Sequence, residues 1–216
     1  SDVYKRQVHE YALTSGFDVS TASFTQTLVT NTRDDDNFGL DFSNDGTKMY
    51  ITGNQNDKIY EYNLSTAFDI STATFNQDLN VNSIDDEPFG IEFSPDGHRL
   101  FIVGTKGNGV DEYRLQTAFN IATATHIGFV HTGGNPSGIH ISPDGTKMFI
   151  VGNSTDIVKE YSLSVPYSIA TAGTGLVLFE DDVNITNNLQ VANITANNIV
   201  TNQNFSSQAY ATNDIL

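Results

Sequence analysis

The chain has no cysteine and no tryptophan, only five prolines, and ten Lys and Arg against 26 Asp and Glu in 216 residues. Without cysteine there can be no disulfide, no thiolate metal site and no cysteine nucleophile, so stability has to come from packing or assembly. The compartment stays open, because cytosolic proteins and many secreted bacterial or viral proteins share this lack. The shortage of basic residues leaves a formal net charge of −16. Such a charge repels phosphate backbones and anionic lipid surfaces, which argues against nucleic acid as a partner. No apolar run approaches the ~20 residues of a helical membrane span, and membrane insertion is not expected. No stretch carries a helical period, and no nucleophile motif such as G-x-S-x-G occurs.

What the chain does contain is a recurring cassette. It is clearest in Phe89-Gly-Ile-Glu-Phe-Ser-Pro-Asp-Gly97, Leu100-Phe-Ile-Val-Gly104, Asp111-Glu-Tyr-Arg-Leu115 and Ala118-Phe-Asn-Ile-Ala-Thr-Ala-Thr125. Gly46, Gly97 and Gly145 are spaced by 51 and 48 residues, and Tyr11, Tyr62, Tyr113 and Tyr161 by 51, 51 and 48. Four copies of the tyrosine segment against three of the turn segment imply that the first unit has lost its front half.

Four extended segments fit in each unit. The first covers Phe38 to Ser43, Phe89 to Ser94 and Ser137 to Ser142, and ends in Asn44-Asp-Gly46, Pro95-Asp-Gly97 or Pro143-Asp-Gly145. A residue such as proline fixes the first corner of a tight turn, Asp suits the second, and Gly takes the left-handed position that follows. The second segment is Lys48 to Thr52, Arg99 to Val103 and Lys147 to Val151, rich in β-branched and aromatic residues. The third is Lys58 to Leu64, Val110 to Leu115 and Val158 to Leu163. The fourth follows the Phe-Asp-Ile-Ser-Thr-Ala link and covers Phe24 to Thr30, Phe75 to Val81, His126 to His131 and Leu176 to Glu180.

Four antiparallel strands per repeat of this length make a β-propeller blade, since a sheet apolar on both faces has to be sandwiched between like sheets. The fold class is therefore all-β: a propeller arc of three complete blades plus half of another over residues 8–180, followed by an irregular or fibre-like tail over residues 181–216. A four-bladed ring closed by strand exchange is the alternative arrangement. Flat solenoids are disfavoured, because hairpin turns do not build a coil of single rungs.

The cassette resembles the Ser-Pro-Asp-Gly propeller repeats of environmental bacterial and phage proteins over about Val8 to Glu180, and more distantly it is similar to surface-layer and lactonase-like propellers. The resemblance implies an extracellular, cell-surface or virion binding module and carries over no catalytic residue. Asn44 in place of proline and His98-Arg99 in place of Thr-Lys depart from the repeat pattern without breaking the turn.

Residues 1–7 read as the in-frame translation of a transposon-end sequencing adapter, and on that reading are foreign to the fold and conceal any targeting signal. Beyond Glu180 the cassette stops, and Asn, Thr and sparse apolar residues resemble phage tail fibres. This segment is expected to be either a linker or a shaft that oligomerises, for instance as a trimer. Asn184, Asn193 and Asn204 lie in N-x-Ser/Thr sequons, read here as composition.

Three sets of residues could carry chemistry. Asp34, Asp35 and Asp36, with Asp85, Asp86 and Glu87, form acidic loops that either hold Ca²⁺ through oxygen ligands or make a solvated acidic rim. The third loop, Gly133-Gly-Asn-Pro136, lacks a carboxylate and breaks the pattern. Asp41 to Gly46 matches the start of an EF-hand loop, but Thr52 stands where a bidentate Glu is required, and a hairpin already explains the glycine. Asp41, Glu92 and His140 occupy one equivalent position on successive first strands, which are innermost in a propeller. They would line the channel, as a polar wall or as ligands of a divalent metal that activates water. His9, His126 and His131 are expected to face solvent, while Tyr60, Tyr62, Tyr113 and Tyr161 would either pack between blades or stack on sugars.

Blades this alike leave little room for a unique active site. The reading is therefore a non-enzymatic propeller module without a cofactor, recognising a protein or glycan surface. The alternative is a metal-dependent lactonase-like hydrolase acting in the central channel.

Overall fold

The structure is a computed structural model describing residues 6–154 and 157–169. The fourth-strand segment Leu176 to Glu180 and the tail over 181–216 lie outside the described residues, as do residues 1–5.

The described chain is all-β, with short 3₁₀ turns as its only helical elements. β1 (Gln7–Leu13) and β2 (Ala22–Val29) form a two-stranded half-blade. The first blade runs β3 (Asn37–Phe42), β4 (Lys48–Gly53), β5 (Lys58–Leu64) and β6 (Ala73–Asn80). The second runs β7 (Pro88–Phe93), β8 (Arg99–Gly104), β9 (Gly109–Leu115) and β10 (Ala124–His131). The third shows β11 (Pro136–Ile141), β12 (Lys147–Gly152) and β13 (Ile157–Ser162). Within each sheet the strands pair antiparallel in chain order, so the strands expected among the described residues are found, most with their ends moved by one or two residues. Gln7 pairs with Val29, and the Arg6 guanidinium lies 3.3 Å from Asp35.

Local chemistry explains the hairpins. Asp45 accepts hydrogen bonds from the Thr47 N–H at 3.0 Å and from the Ser43 hydroxyl at 2.7 Å, and Gly46 closes the turn at φ +69°. These donors hold the Asp45 carboxyl down at about 2, and Asp144 in the last blade likewise. The glycine is needed twice over, because a Cβ on Gly97 would meet the Phe119 ring at 2.3 Å. Phe119 itself sits at φ +55° in the link after β9, and Phe68 and Tyr167 repeat the arrangement over Gly46 and Gly145. The links after β5 and β9 then make a single 3₁₀ turn, capped where the Asp69 or Asn120 side chain accepts from the N–H two residues on.

The cores lie between blades rather than inside them. Tyr50, Ile59 and Val81 of the first blade pack against Ile91, Phe93, Leu100 and Ile102 of the second, and Phe101, Val103 and Val110 pack against Ile141, Met148 and Ile150 of the third. Burying each such side chain contributes roughly 1.5–3 kcal/mol, and that contribution depends on the next blade being present. β7 lies against both β3 and β11, so the first strands stand side by side on the inner wall. Gly39 permits this approach, since a Cβ there would come within 2.4 Å of the Phe89 carbonyl oxygen.

Candidate functional site

The three residues expected at one equivalent position lie on neighbouring first strands, Asp41 on β3, Glu92 on β7 and His140 on β11. The two carboxylates also tie neighbouring blades together. Asp41 accepts from the Phe42 N–H at 2.7 Å and the Phe93 N–H at 2.8 Å, one oxygen each. Glu92 accepts from the Ile141 N–H at 3.0 Å, and the same oxygen, Oε1, lies 3.3 Å from His140 Nδ1. Burial raises the Glu92 carboxyl to about 7 against the lowering effect of the Ile141 N–H, with a further rise from the charge of Asp41. Burial also raises Asp41, opposed by its two backbone donors. The structure therefore brings Glu92 and His140 into one pair and gives Asp41 to the backbone. Among the described residues no three His, Asp or Glu side chains form a group placed to hold a metal ion. With both oxygens of Asp41 engaged by backbone donors, the three channel residues fit a polar wall better than a ligand set.

The acidic loops divide in an unexpected way. Asp34 and Asp85 are buried rather than part of a solvated rim, while Asp86 and Glu87 are exposed and Asp35 and Asp36 half-buried. Asp34 gathers the loop around it, accepting from the N–H groups of Asp36, Gln55 and Asn56 at 2.9, 3.2 and 3.0 Å and from the Tyr60 hydroxyl at 3.3 Å. Asp85 accepts from the Glu87 N–H at 3.0 Å, but its Oδ2 has no donor. Asp111 stands where the first blade has Tyr60, so the hydroxyl that served Asp34 is replaced by a second carboxylate, whose Oδ2 also lacks a donor. The outer oxygen of Asp111 meets His126 Nε2 at 2.8 Å, which corrects the expectation that His126 faces solvent. His126 in turn replaces Phe75. One blade thus carries a linked pair of departures from the repeat.

Burial lifts the Asp85 carboxyl to about 6, with the neighbouring Asp111 charge adding to it. A carboxylate raised in the folded state binds its proton more tightly folded than unfolded. Stability from this group is therefore complete below about pH 4 and falls as pH rises through 6. Asp85→Asn keeps an acceptor for the Glu87 N–H and brings an amide donor beside Asp111. It is expected to raise the melting temperature at pH 7.5 by about 5 °C and to flatten the decline above pH 5. Thermal melts of both chains across pH 4–8 check this, and a variant that melts lower at pH 7.5 would remove the assigned cause.

A further carboxylate series, not singled out in the sequence, is buried between blades. Glu61 and Glu112 are fully enclosed. Glu61 takes Lys48 Nζ at 2.7 Å, Asn76 Nδ2 at 2.8 Å, Gln77 Nε2 at 2.7 Å and the Ile121 N–H of the next blade at 3.3 Å. A register shift between Glu61 and Tyr62 leaves Asn76 as the extra residue beside the carboxylate. The sequence signal was available: a Glu before each ruler tyrosine, at 10, 61, 112 and 160. Of those tyrosines Tyr62 and Tyr113 are buried, as is Tyr60, which places these rings between blades.

No protein-family model and no curated protein matches the sequence. Solved structures do match in fold. A proposed 6-phosphogluconolactonase from Bacteroides uniformis superposes with a TM-score of 0.55 at 16% identity, over 75% of this chain and 46% of its own. A protein from Lactobacillus plantarum gives 0.54 at 20%, over 74% and 46%. A periplasmic gluconolactonase from Pseudomonas aeruginosa gives 0.52 at 14%, over 73% and 44%. The chain spans about half the length of these structures. At such identities the likeness is one of fold, and it bears out the propeller. It also corrects the expectation of a non-enzymatic binding module, since among the propellers whose path this chain follows are proteins named as lactonases.

Proposed function

We propose that the chain forms part of a propeller hydrolase that opens an uncharged lactone or similar cyclic ester at the channel wall. The observation that carries this is the Glu92–His140 pair, 3.3 Å apart on adjacent innermost strands, with the Glu92 carboxyl raised to about 7. A carboxylate with that proton affinity is suited to take a proton from an attacking water near neutral pH. His140, 67% exposed, stands on the open side of the pair where it can orient water or steady the charge. The role assigned to these residues is proton transfer rather than metal ligation. The names of the fold neighbours supply the lactone. The charge of −16 and the carboxylates of Asp41 and Glu92 weigh against a phosphorylated substrate and in favour of a neutral sugar lactone.

In the same reading the cassette is of the Ser-Pro-Asp-Gly repeat type and works outside the cytoplasm. The experiment is hydrolysis of glucono-δ-lactone and 6-phosphogluconolactone, with the buffer rate subtracted. Hydrolysis of the neutral lactone is expected to rise with pH through about 7, as the Glu92 base form fills, and to exceed that of the phosphorylated one. No turnover of either above buffer by the full chain would overturn the reading.

A further inference from the structure

We propose that the second blade binds one hard divalent cation of the Ca²⁺ class between Asp85, in the loop before β7, and Asp111 on β9. The ligands would be the Oδ2 atoms of the two carboxylates and the main-chain carbonyl of Ile84, completed by water. The site is separate from the Glu92–His140 pair and does not depend on the hydrolase reading.

The repeat shows what this place holds in the other blades. In the first blade Asp34 Oδ2 accepts from the Asn56 N–H at 3.0 Å, the Asn56 side-chain amide at 3.1 Å and the Tyr60 hydroxyl at 3.3 Å. Tyr60 and Asn56 also donate to the Arg33 carbonyl, at 3.0 and 2.9 Å. In the third blade Lys159 stands in the place of Tyr60, and its Nζ donates to the Thr132 carbonyl at 2.6 Å. Of the described blades only the second puts an acceptor there. One repeat further along the chain from Tyr60, Asn56 and Arg33 stand Asp111, Gly107 and Ile84. The side-chain donors that served both the carboxylate and the carbonyl have gone together.

What replaces them is a pair of enclosed acids. Asp85 is 1% exposed and Asp111 2%, and Oδ2 of each has no hydrogen-bond partner. The other oxygen of each is held, Asp85 Oδ1 by the Glu87 N–H at 3.0 Å and Asp111 Oδ1 by His126 Nε2 at 2.8 Å. One oxygen fixed by an outer donor and one left open is how a ligating carboxylate is oriented. The nearby Lys106 does not supply the missing charge, since its Nζ lies 3.0 Å from the Asn82 carbonyl and 3.6 Å from the exposed Asp86. The charge of Asp111 is felt at Asp85. Two enclosed anions without a counter-charge are costly, and a divalent cation neutralises both.

The donor set decides the class of ion. Carboxylate and carbonyl oxygens suit hard cations rather than zinc or copper, and His126 does not change this because its Nε2 is turned to Asp111 Oδ1. The site has two acidic side chains rather than three. Ca²⁺ accepts such a set, because it takes about six to eight oxygens in flexible geometry, waters and main-chain carbonyls among them. Entry is through the loop 105–108, where Lys106 and Gly107 are exposed.

The test is Ca²⁺ binding by the full chain at pH 7.5 after removal of metals with a chelator, followed by titration calorimetry and thermal melts. The native chain is expected to bind Ca²⁺ with a component of one ion per chain, and to melt about 5 °C or more higher at roughly 100 times the dissociation constant. Asp85→Asn and Asp111→Asn are each expected to lose that component and the shift. In chelator Asp85→Asn melts above the native chain, so its loss of binding cannot come from unfolding, and it decides alone if Asp111→Asn does not fold. Asp86→Asn, on the exposed part of the loop, is expected to keep both responses. A native chain that responds to Ca²⁺ in neither measurement overturns the proposal and leaves the pair to share a proton. So does a response that survives Asp85→Asn, and so does one lost in Asp86→Asn, which would put the ion on the outer loop.

Discussion

Replacing Glu61 by Ala is expected to cost about 3–5 kcal/mol and lower the melting temperature by about 10 °C or more. The side chain is fully buried and serves four donors drawn from two other strands of its blade and from the next blade. Its removal would free Lys48 and the exposed Asn76 to reach solvent, but would leave the half-buried Gln77 amide with Asn120 alone and the buried Ile121 N–H without this acceptor. Unpaired buried polar groups carry most of the penalty. The control is Lys58→Ala, which removes the 3.0 Å pair to Asp78, where both side chains are about one-third exposed. That variant is expected to lose no more than about 1 kcal/mol. Thermal melts of the two variants side by side decide the matter, and equal small losses would show that the inter-blade carboxylate is not a strong tie.

Glu92→Gln is expected to lower lactone hydrolysis by about 10²–10⁴-fold, the range for loss of a positioned proton-transfer group. The variant should fold. The glutamine oxygen can still accept from the Ile141 N–H, and the substitution removes a carboxyl whose ionisation burial opposes. The sign follows from linkage: the group binds its proton more tightly in the folded state, so its stabilisation is complete below about pH 4.5 and declines up to about pH 7. At pH 7.5 the variant is therefore expected to melt at the native temperature or above it while being almost inactive, and the inflection near pH 7 should vanish from whatever rate remains. Native turnover in Glu92→Gln would end the assignment of Glu92, and a fall in both melting temperature and rate would mark it as structural only.

The shared position was legible because the repeat gives the register of the first strands, so Asp41, Glu92 and His140 could be aligned by spacing alone. What spacing did not convey was which lone pairs the backbone would use. Asp41 is given over to the N–H groups of Phe42 and Phe93, while Glu92 pairs with His140. The acidic loops misled for a related reason. Asp34 and Asp85 look like solvent-facing charges in the sequence, but loop N–H groups gather around them, and in the second blade Asp111 takes the place of Tyr60. A rule comparing each blade with the next at the positions of Tyr60 and Phe75 would have marked Asp111 and His126 as a coupled exception.

By itself the sequence determined the blade. Alternation, the Ser-x-Asp-Gly turn and the capped link are short-range, and their geometry depends on φ, ψ and hydrogen bonds reaching no more than a few residues. Tertiary structure alone decided which charges are buried. A carboxylate's proton affinity depends on what stands across the blade interface, some fifty residues away in the chain, and that is also where Glu61 finds the N–H of Ile121.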